Sequence, residues 1–152
     1  MDKYFPFIFN LEDKMLLFIG GGKVAEKKII RLYRFSNILV VSPKVTAKLK
    51  DLYNEGSIGI KYKKFENSDI NKNVSFVFAC TNDKELNREI ALLCKGKKIF
   101  VLDASDKKYS DFFMPAVYRS HDFLIATSTF GDNPKSAALL RDKIKKFLLL
   151  TK

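Results

Sequence analysis

The stretch LLFIGGGKVAEKK, residues 16–28, restricts the local backbone more tightly than any other in this chain. Leu16, Leu17, Phe18 and Ile19 form an unbroken apolar run. Such a run suits a strand covered on both faces, since apolar residues do not alternate with polar ones. Gly20, Gly21 and Gly22 then remove the β-carbon from three consecutive positions, so the backbone can turn sharply. From Lys23 onward, Val24, Ala25, Lys28, Ile29 and Leu32 recur at helical spacing, which predicts a helix over 23–35. Strand, glycine turn and helix in that order open a βαβ unit.

The pattern repeats. YFPFIFN (4–10) and KMLLFIG (14–20) read as two short strands joined at LEDK. SNILVVS (36–42) is a second buried strand, and residues 43–54 are expected to form a helix with Pro43 near its start. SIGIKYK (57–63) alternates and suits a strand near a sheet edge. NVSFVFACT (73–81) and KKIFVLDA (97–104) are further buried strands, separated by a helix over 83–94 with Leu86, Ile90 and Leu93 on one face. This alternation predicts an α/β fold, a doubly wound parallel sheet with right-handed crossovers. Then the pattern changes. DFFMPAVYRSHDFLIATST (111–129) reads as two strands about the turn RSHD, and residues 134–149 as one helix. The expected organisation is a Rossmann-like domain over 1–111 and a strand pair plus helix over 112–152.

Gly20, Gly22 and Ala25 stand at the spacing G-x-G-x-x-A. The first permits the turn, the second lets a pyrophosphate approach the backbone, and the small third residue seats the helix on the sheet. The amides that open the helix then face the phosphates. The motif's context, after a strand and before a helix, is the one a dinucleotide site requires. A tight turn without a ligand is the competing reading. The acid that usually ends the second strand and holds the ribose hydroxyls is missing. That strand ends in Ser42, Pro43 and Lys44; Ser42 can bond a hydroxyl and Lys44 can accept a 2′-phosphate, so the fingerprint leaves NAD and NADP open.

Charge narrows the partners less. Twenty-eight basic against 17 acidic residues give a net +11. A solvated basic surface explains this, and a positive field for a polyanionic small molecule is compatible with it. The lysines are scattered and no nucleic-acid motif is present, which argues against a nucleic-acid binder. No apolar stretch reaches the ~20 residues of a membrane span. The N-terminus lacks the features of a secretory signal, and Cys80 and Cys94 form no CxxC, so a reduced cytoplasmic chain is expected.

Several segments occur in order: FPFIFNLEDKMLLFIGGGKVAEKK, FACTNDKELN, VLDASD, FFMPAVYRSHDFLIATST and NPKSAALLRDKI. Together they resemble the precorrin-2 dehydrogenase family, the sirohydrochlorin-forming module of siroheme synthase, over essentially the whole chain. The resemblance implies oxidation of precorrin-2, a polycarboxylate tetrapyrrole, to sirohydrochlorin with hydride passed to NAD⁺. In some members Fe²⁺ is then inserted. It implies that Gly20, Gly21, Gly22, Lys23 and Val24 bind the cofactor phosphates. Ser42, Pro43, Lys44 and Val45 would form the loop beside the adenosine ribose, without an obligatory acid, which favours NAD. Ala79, Thr81 and Asn82 would lie on the nicotinamide side.

The resemblance also implies that Asp103 stands at the reaction centre. A carboxylate at a strand end in a partly buried cleft can take the proton released as hydride leaves; capping of the loop DASD is the alternative role. In STFGDNP, Ser128, Thr129, Gly131 and Asn133 correspond to a substrate-binding turn at the start of the last helix. Phe130 stands where the family has glycine, and Asn133 where it has serine. Helix capping explains the same segment equally well. The strand pair and last helix resemble a dimerisation element, which implies a homodimer. Family members continue past that helix, whereas this sequence stops at FLLLTK. His121 is expected in a surface turn without ligand partners, and no metal site is expected. A regulatory nucleotide-binding module without catalysis is the alternative function, and a basic interaction protein a third.

Overall fold

The computed structural model describes residues 4–150. They fall into two compact units, residues 8–112 and the rest. In the larger unit the elements run β1 (Met15–Gly21), α1 (Lys23–Leu32), β2 (Asn37–Val45), α2 (Ala47–Asn54), β3 (Gly59–Lys61), β4 (Val74–Ala79), α3 (Lys84–Gly96) and β5 (Phe100–Asp103). The five strands make one sheet in the order β3-β2-β1-β4-β5, and every pairing is parallel. This is the expected α/β fold. β1 is central because its apolar run cannot tolerate a wet face: Leu16, Leu17, Phe18 and Ile19 are each 1% exposed or less.

Two layers of side chains hold the sheet. On one face Phe18 stacks on Phe78 of β4, ring centroids 4.2 Å apart. Leu17, Ile19, Val77 and Ala79 meet Ile90, Ala91 and Cys94 of α3 in the main apolar cluster. Ile90 is fully buried there. Its truncation to Ala removes buried methyl groups and leaves a cavity, so Ile90→Ala is expected to cost about 2–5 kcal/mol. A urea unfolding curve with a lowered midpoint and unchanged slope checks this.

The structure corrects three local expectations. Residues 4–10 carry no strand, and Phe5, Phe7 and Ile8 are exposed. The segment's β-formers build no strand, and Pro6 has no N–H to give a ladder. Pro43 does not open a helix. It lies within β2, where the register with β1 jumps from Ile19↔Val41 to Gly21↔Val45. A proline is tolerated in such an irregularity, since no ladder bond is lost. α2 starts instead at Ala47, and the Thr46 hydroxyl caps it by accepting from the Leu49 amide. α1 ends at Leu32, three residues before the expected Phe35, and Val24 is exposed rather than part of the buried stripe. On α3 the expected face does meet the core: Ile90 is buried and Leu86 and Leu93 pack against the same cluster, with Asn87, Ala91 and Cys94 buried beside them.

In the smaller unit β6 (Ala116–Arg119) and β7 (Leu124–Thr127) form an antiparallel pair about residues 120–123, and α4 (Pro134–Leu150) packs on both. The buried Thr127 hydroxyl donates to the Ala137 carbonyl at 2.7 Å, pinning the helix start to the hairpin. Ala137 is small enough to allow that approach. Leu139, Leu140, Phe147, Leu149 and Leu150 of α4 are exposed.

Candidate functional site

The strand order reverses at β1, so the carboxyl ends of β1 and β4 form the topological switch point, the place where open α/β sheets bind ligands. The three glycines lie there, and each has a different reason to be glycine. Gly20 has φ +104°, and a β-carbon on it would stand 2.5 Å from the Cys80 carbonyl oxygen and 2.9 Å from the Thr81 nitrogen. A β-carbon on Gly21 would meet the Lys44 carbonyl at 2.7 Å and Val45 Cγ1 at 2.6 Å. Gly21 is thus wedged against the end of β2. Around Gly22 nothing lies within 4 Å of that position. Gly22 is the N-cap of α1, and no side chain caps this helix, whereas Thr46, Asp83 and Asn133 cap the other three. Open space at an uncapped helix start fits a phosphate group. Ala25, fully buried, seats α1 on the sheet.

Ser42, Pro43, Lys44 and Val45 form the last turn of β2 rather than a loop beyond it. The Ser42 hydroxyl is buried and donates to the Lys44 carbonyl at 2.6 Å. Pro43 and Lys44 are exposed. An acid does stand beside this strand end, although it comes from α1. Glu26 pairs with Lys23 at 3.1 Å. The Thr46 hydroxyl, and then Lys23, hold its carboxyl below the ordinary value of 4.5. Its folded-state preference for the charged form is fully expressed above pH 4.5 and fades as pH falls through the lowered value. Glu26→Gln is therefore expected to lose stability near neutral pH and to differ least from wild type below that range, as read by thermal melts across pH.

At the ends of β4 and β5 the structure joins two expected residues, Thr81 and Asp103, through two that the sequence reading missed, Asn87 and Ser105. Asn87, fully buried on α3, accepts from the Thr81 amide at 3.1 Å and the Thr81 hydroxyl at 2.7 Å. Its Nδ2 donates to the Thr81 carbonyl at 3.1 Å and to Ser105 Oγ at 3.2 Å. Ser105 in turn donates to Asp103 Oδ1 from its hydroxyl at 2.6 Å and its amide at 2.7 Å, and the Asp106 amide adds a bond of 3.2 Å. Asp103 therefore caps its own loop through Oδ1. It is 4% exposed, and its Oδ2 is buried with no hydrogen-bond partner. A buried carboxylate oxygen without a donor is costly, which marks it as a place for a proton or a ligand donor. Ala79 is buried at the end of β4, and Asn82 is exposed beyond it.

In the smaller unit, Ser128, Thr129, Gly131 and Asn133 come together in the turn before α4. Ser128 Oγ accepts from the Phe130 amide at 3.0 Å, and Thr129 Oγ1 accepts from the Asn133 amide at 2.9 Å. Asn133 Oδ1 caps α4 through the Ser136 amide at 3.0 Å. Phe130 adopts φ +53° and Gly131 φ +85°. Phe130 thus takes a left-handed backbone suited to glycine, and its ring stacks on Tyr4 at 5.7 Å.

A family model described as "Putative NAD(P)-binding" matches residues 7–116. The chain belongs to that NAD(P)-binding family. Over nearly its whole length it is related to the N-terminal precorrin-2 dehydrogenase module of siroheme synthases. The siroheme synthase of Thioalkalivibrio sulfidiphilus is 32% identical over 146 residues, covering 95% of this chain and 30% of that protein. That of Blochmanniella pennsylvanica is 33% identical over 146 residues, covering 96% and 30%. The chain thus spans about three-tenths of the length of these curated relatives. The solved structure of SirC, precorrin-2 dehydrogenase, superposes with a TM-score of 0.72 at 27% identity, covering 98% of this chain and 71% of that one.

Cavities agree only in part with this candidate site. One of about 620 Å³ opens at the amino ends of β4 and β5, between Lys72, Ser75, Lys97 and Phe100, at the opposite end of the sheet from the glycines. The sheet's topology, not cavity size, locates the family's ligand end. Another of about 570 Å³ adjoins the end of β2, lined by Lys44, Val45, Lys50, Tyr53 and Tyr62. No helix among the described residues is long and apolar enough to cross a membrane, and no three His, Cys, Asp or Glu among them gather as a metal-holding group. His121 is exposed beside Asp122.

Burial pushes the Cys80 thiol up to about 11 and the Cys94 thiol up to about 12. A thiol at such values carries almost no thiolate at neutral pH. Both cysteines are expected to stay unlabelled by a thiol reagent at pH 8 in the folded protein, and to react together on unfolding in urea.

Proposed function

We propose that this chain is an NAD-dependent precorrin-2 dehydrogenase, which oxidises precorrin-2 to sirohydrochlorin. The observation that carries the reading is the pairing of two features at one end of the larger unit's sheet. Gly22 leaves open space at an uncapped helix start, and Asp103 ends β5 with one buried, unpartnered carboxylate oxygen. Dehydrogenation breaks two bonds to hydrogen. One hydrogen leaves with its electron pair as hydride, and the other leaves as a proton. NAD⁺, when bound, supplies the hydride acceptor. Lys23 and Val24 at the start of α1, with Gly20, Gly21 and Gly22, would hold its phosphates. Ser42, Pro43, Lys44 and Val45 would border its ribose, and Ala79, Thr81 and Asn82 its nicotinamide side.

Asp103 would take the proton on Oδ2, since Oδ1 already accepts three donors. Oδ2 has no contact with solvent, so binding must open it to the substrate. A water-shielded base of this kind does not lose its role to bulk water. Ser128, Thr129, Gly131 and Asn133 would receive substrate carboxylates at the start of α4, where each hydroxyl still has a proton to donate. Two copies would associate through the smaller unit; the exposed Leu139, Leu140, Phe147, Leu149 and Leu150 support this. Sedimentation at low concentration is expected to show the dimer, and a monomer at all concentrations would contradict it.

Cofactor choice is decided by titrating NAD⁺ and NADP⁺ into the purified chain by calorimetry. The proposal expects NAD⁺ to bind more tightly; binding of neither would overturn it. Binding without any turnover of precorrin-2 would instead make the chain a nucleotide-binding module. Fe²⁺ insertion, the further step of some family members, is read by adding Fe²⁺ after sirohydrochlorin has formed.

A further inference from the structure

We infer that Asn87 is a positioning residue that sets the glycine turn and the Asp103 carboxylate in one frame, an inference that rests on the dehydrogenase reading. Donor-only atoms fix the orientation of the Asn87 amide. The Thr81 amide has a hydrogen and no acceptor capacity, so the Asn87 atom facing it must be the oxygen. That assignment turns Nδ2 toward Ser105 Oγ. Because Ser105 Oγ accepts there, its single hydrogen goes to Asp103 Oδ1. The direction of every bond from Asn87 to Asp103 is therefore fixed, and Oδ1 is saturated with donors. Any proton the carboxylate gains goes to Oδ2.

The other arm reaches the cofactor side. Asn87 holds Thr81 by its amide, hydroxyl and carbonyl at once. The Thr81 nitrogen is one of the atoms against which Gly20 is packed, 2.9 Å from where its β-carbon would be. One buried side chain thus ties the wall of the glycine turn to the acid's loop. Asn87 is fully buried on an otherwise apolar helix face, beside Ile90, Ala91 and Cys94. An amide there costs stability unless all its hydrogen bonds are made, and they are. A residue kept only for packing at that position would be apolar.

The two arms separate experimentally. Ser105→Ala cuts only the acid arm, on an exposed loop that retains both backbone amides on Asp103. It is expected to bind NAD⁺ within about twofold of wild type and to lose about 100-fold in kcat with KM for NAD⁺ unchanged. Ser105→Thr, which restores the hydroxyl, is expected to recover most of that loss. Asn87→Ala cuts both arms and is expected to lose NAD⁺ affinity by at least about tenfold as well. Calorimetry of NAD⁺ binding needs no precorrin-2, so this arm is read even if the dehydrogenase reading fails through absence of turnover. The inference is overturned if Ser105→Ala turns over within twofold of wild type, or if a cooperatively melting Asn87→Ala binds NAD⁺ like wild type. Should Asn87→Ala not fold, the Ser105 pair decides.

Discussion

Gly22→Ala is expected to fold like the wild-type chain and to lose dinucleotide binding, whereas Gly20→Ala is expected not to fold stably. The two residues lie two positions apart in one turn and differ by one methyl group in each variant. At Gly20 the new β-carbon would overlap the backbone of Cys80 and Thr81, with the nearest atom at 2.5 Å. Cys80 and Thr81 follow β4 directly, with the Cys80 amide bonded to the Ile19 carbonyl, and backbone held in this way cannot move aside as a flexible side chain can. The residue also holds φ +104°, which costs an alanine further strain. Together these place the loss in the exceptional range, above about 4 kcal/mol. At Gly22 the backbone is extended, φ −82° and ψ −172°, and a β-carbon meets nothing within 4 Å. Alanine in place of an N-cap glycine costs about 0.5–1 kcal/mol, too little to unfold the chain. The methyl group would instead fill the space through which a pyrophosphate reaches the amides of α1. Thermal melts and calorimetry with NAD⁺ read both variants. A Gly22→Ala protein that binds NAD⁺ as tightly as wild type would remove the phosphate reading of the turn.

Asp103→Asn is expected to reduce turnover of precorrin-2 by about 10²–10⁴-fold, the range over which a positioned general base acts. Asparagine keeps one oxygen able to accept from Ser105 and the Asp106 amide, so the loop survives. Its other atom becomes an amide nitrogen that cannot take a proton. NAD⁺ affinity is expected to stay within a few-fold of wild type, because Asp103 reaches the cofactor side only through Ser105 and Asn87. Asp103→Ala is the harsher variant. It strips three donors of their acceptor at once and should add about 1–3 kcal/mol of destabilisation to the loss of rate. If Asp103→Asn turned over like wild type, the residue would be a loop cap and nothing more.

The larger unit was legible because its strands announce themselves. Unbroken apolar runs such as Leu16–Ile19, short and bounded by turn residues, suit a doubly covered strand, and the intervening helices dictate parallel pairing. What misled the reading was local chemistry with two outcomes. Pro43 suits a helix start or a strand irregularity, and only the pairing of β2 with β1 chooses between them. YFPFIFN is rich in strand-forming residues, yet Pro6 interrupts it and it forms no strand. The glycines were legible as a turn, yet their separate roles required three dimensions. Gly21, an unassigned position in the G-x-G-x-x-A spacing, proved wedged against Lys44 and Val45.

Asn87 carried a faint signal. It is a polar residue three and four positions before Ile90 and Ala91 on the same helical face, which should have marked it as a buried amide with partners. Its link to Ser105, 18 residues away, was beyond any periodicity. The acid absent from the end of β2 could not be sought in α1 either, since Glu26 reaches that strand end only through the fold.

Anaerobic incubation of the purified chain with precorrin-2 and NAD⁺, followed by the absorbance of sirohydrochlorin and of NADH together, decides whether this chain is a dehydrogenase. The prediction is that both rise in equal molar amounts, that omitting NAD⁺ abolishes the change, and that Asp103→Asn slows it without weakening NAD⁺ binding. A folded chain that binds NAD⁺ and yields neither product would contradict the claim.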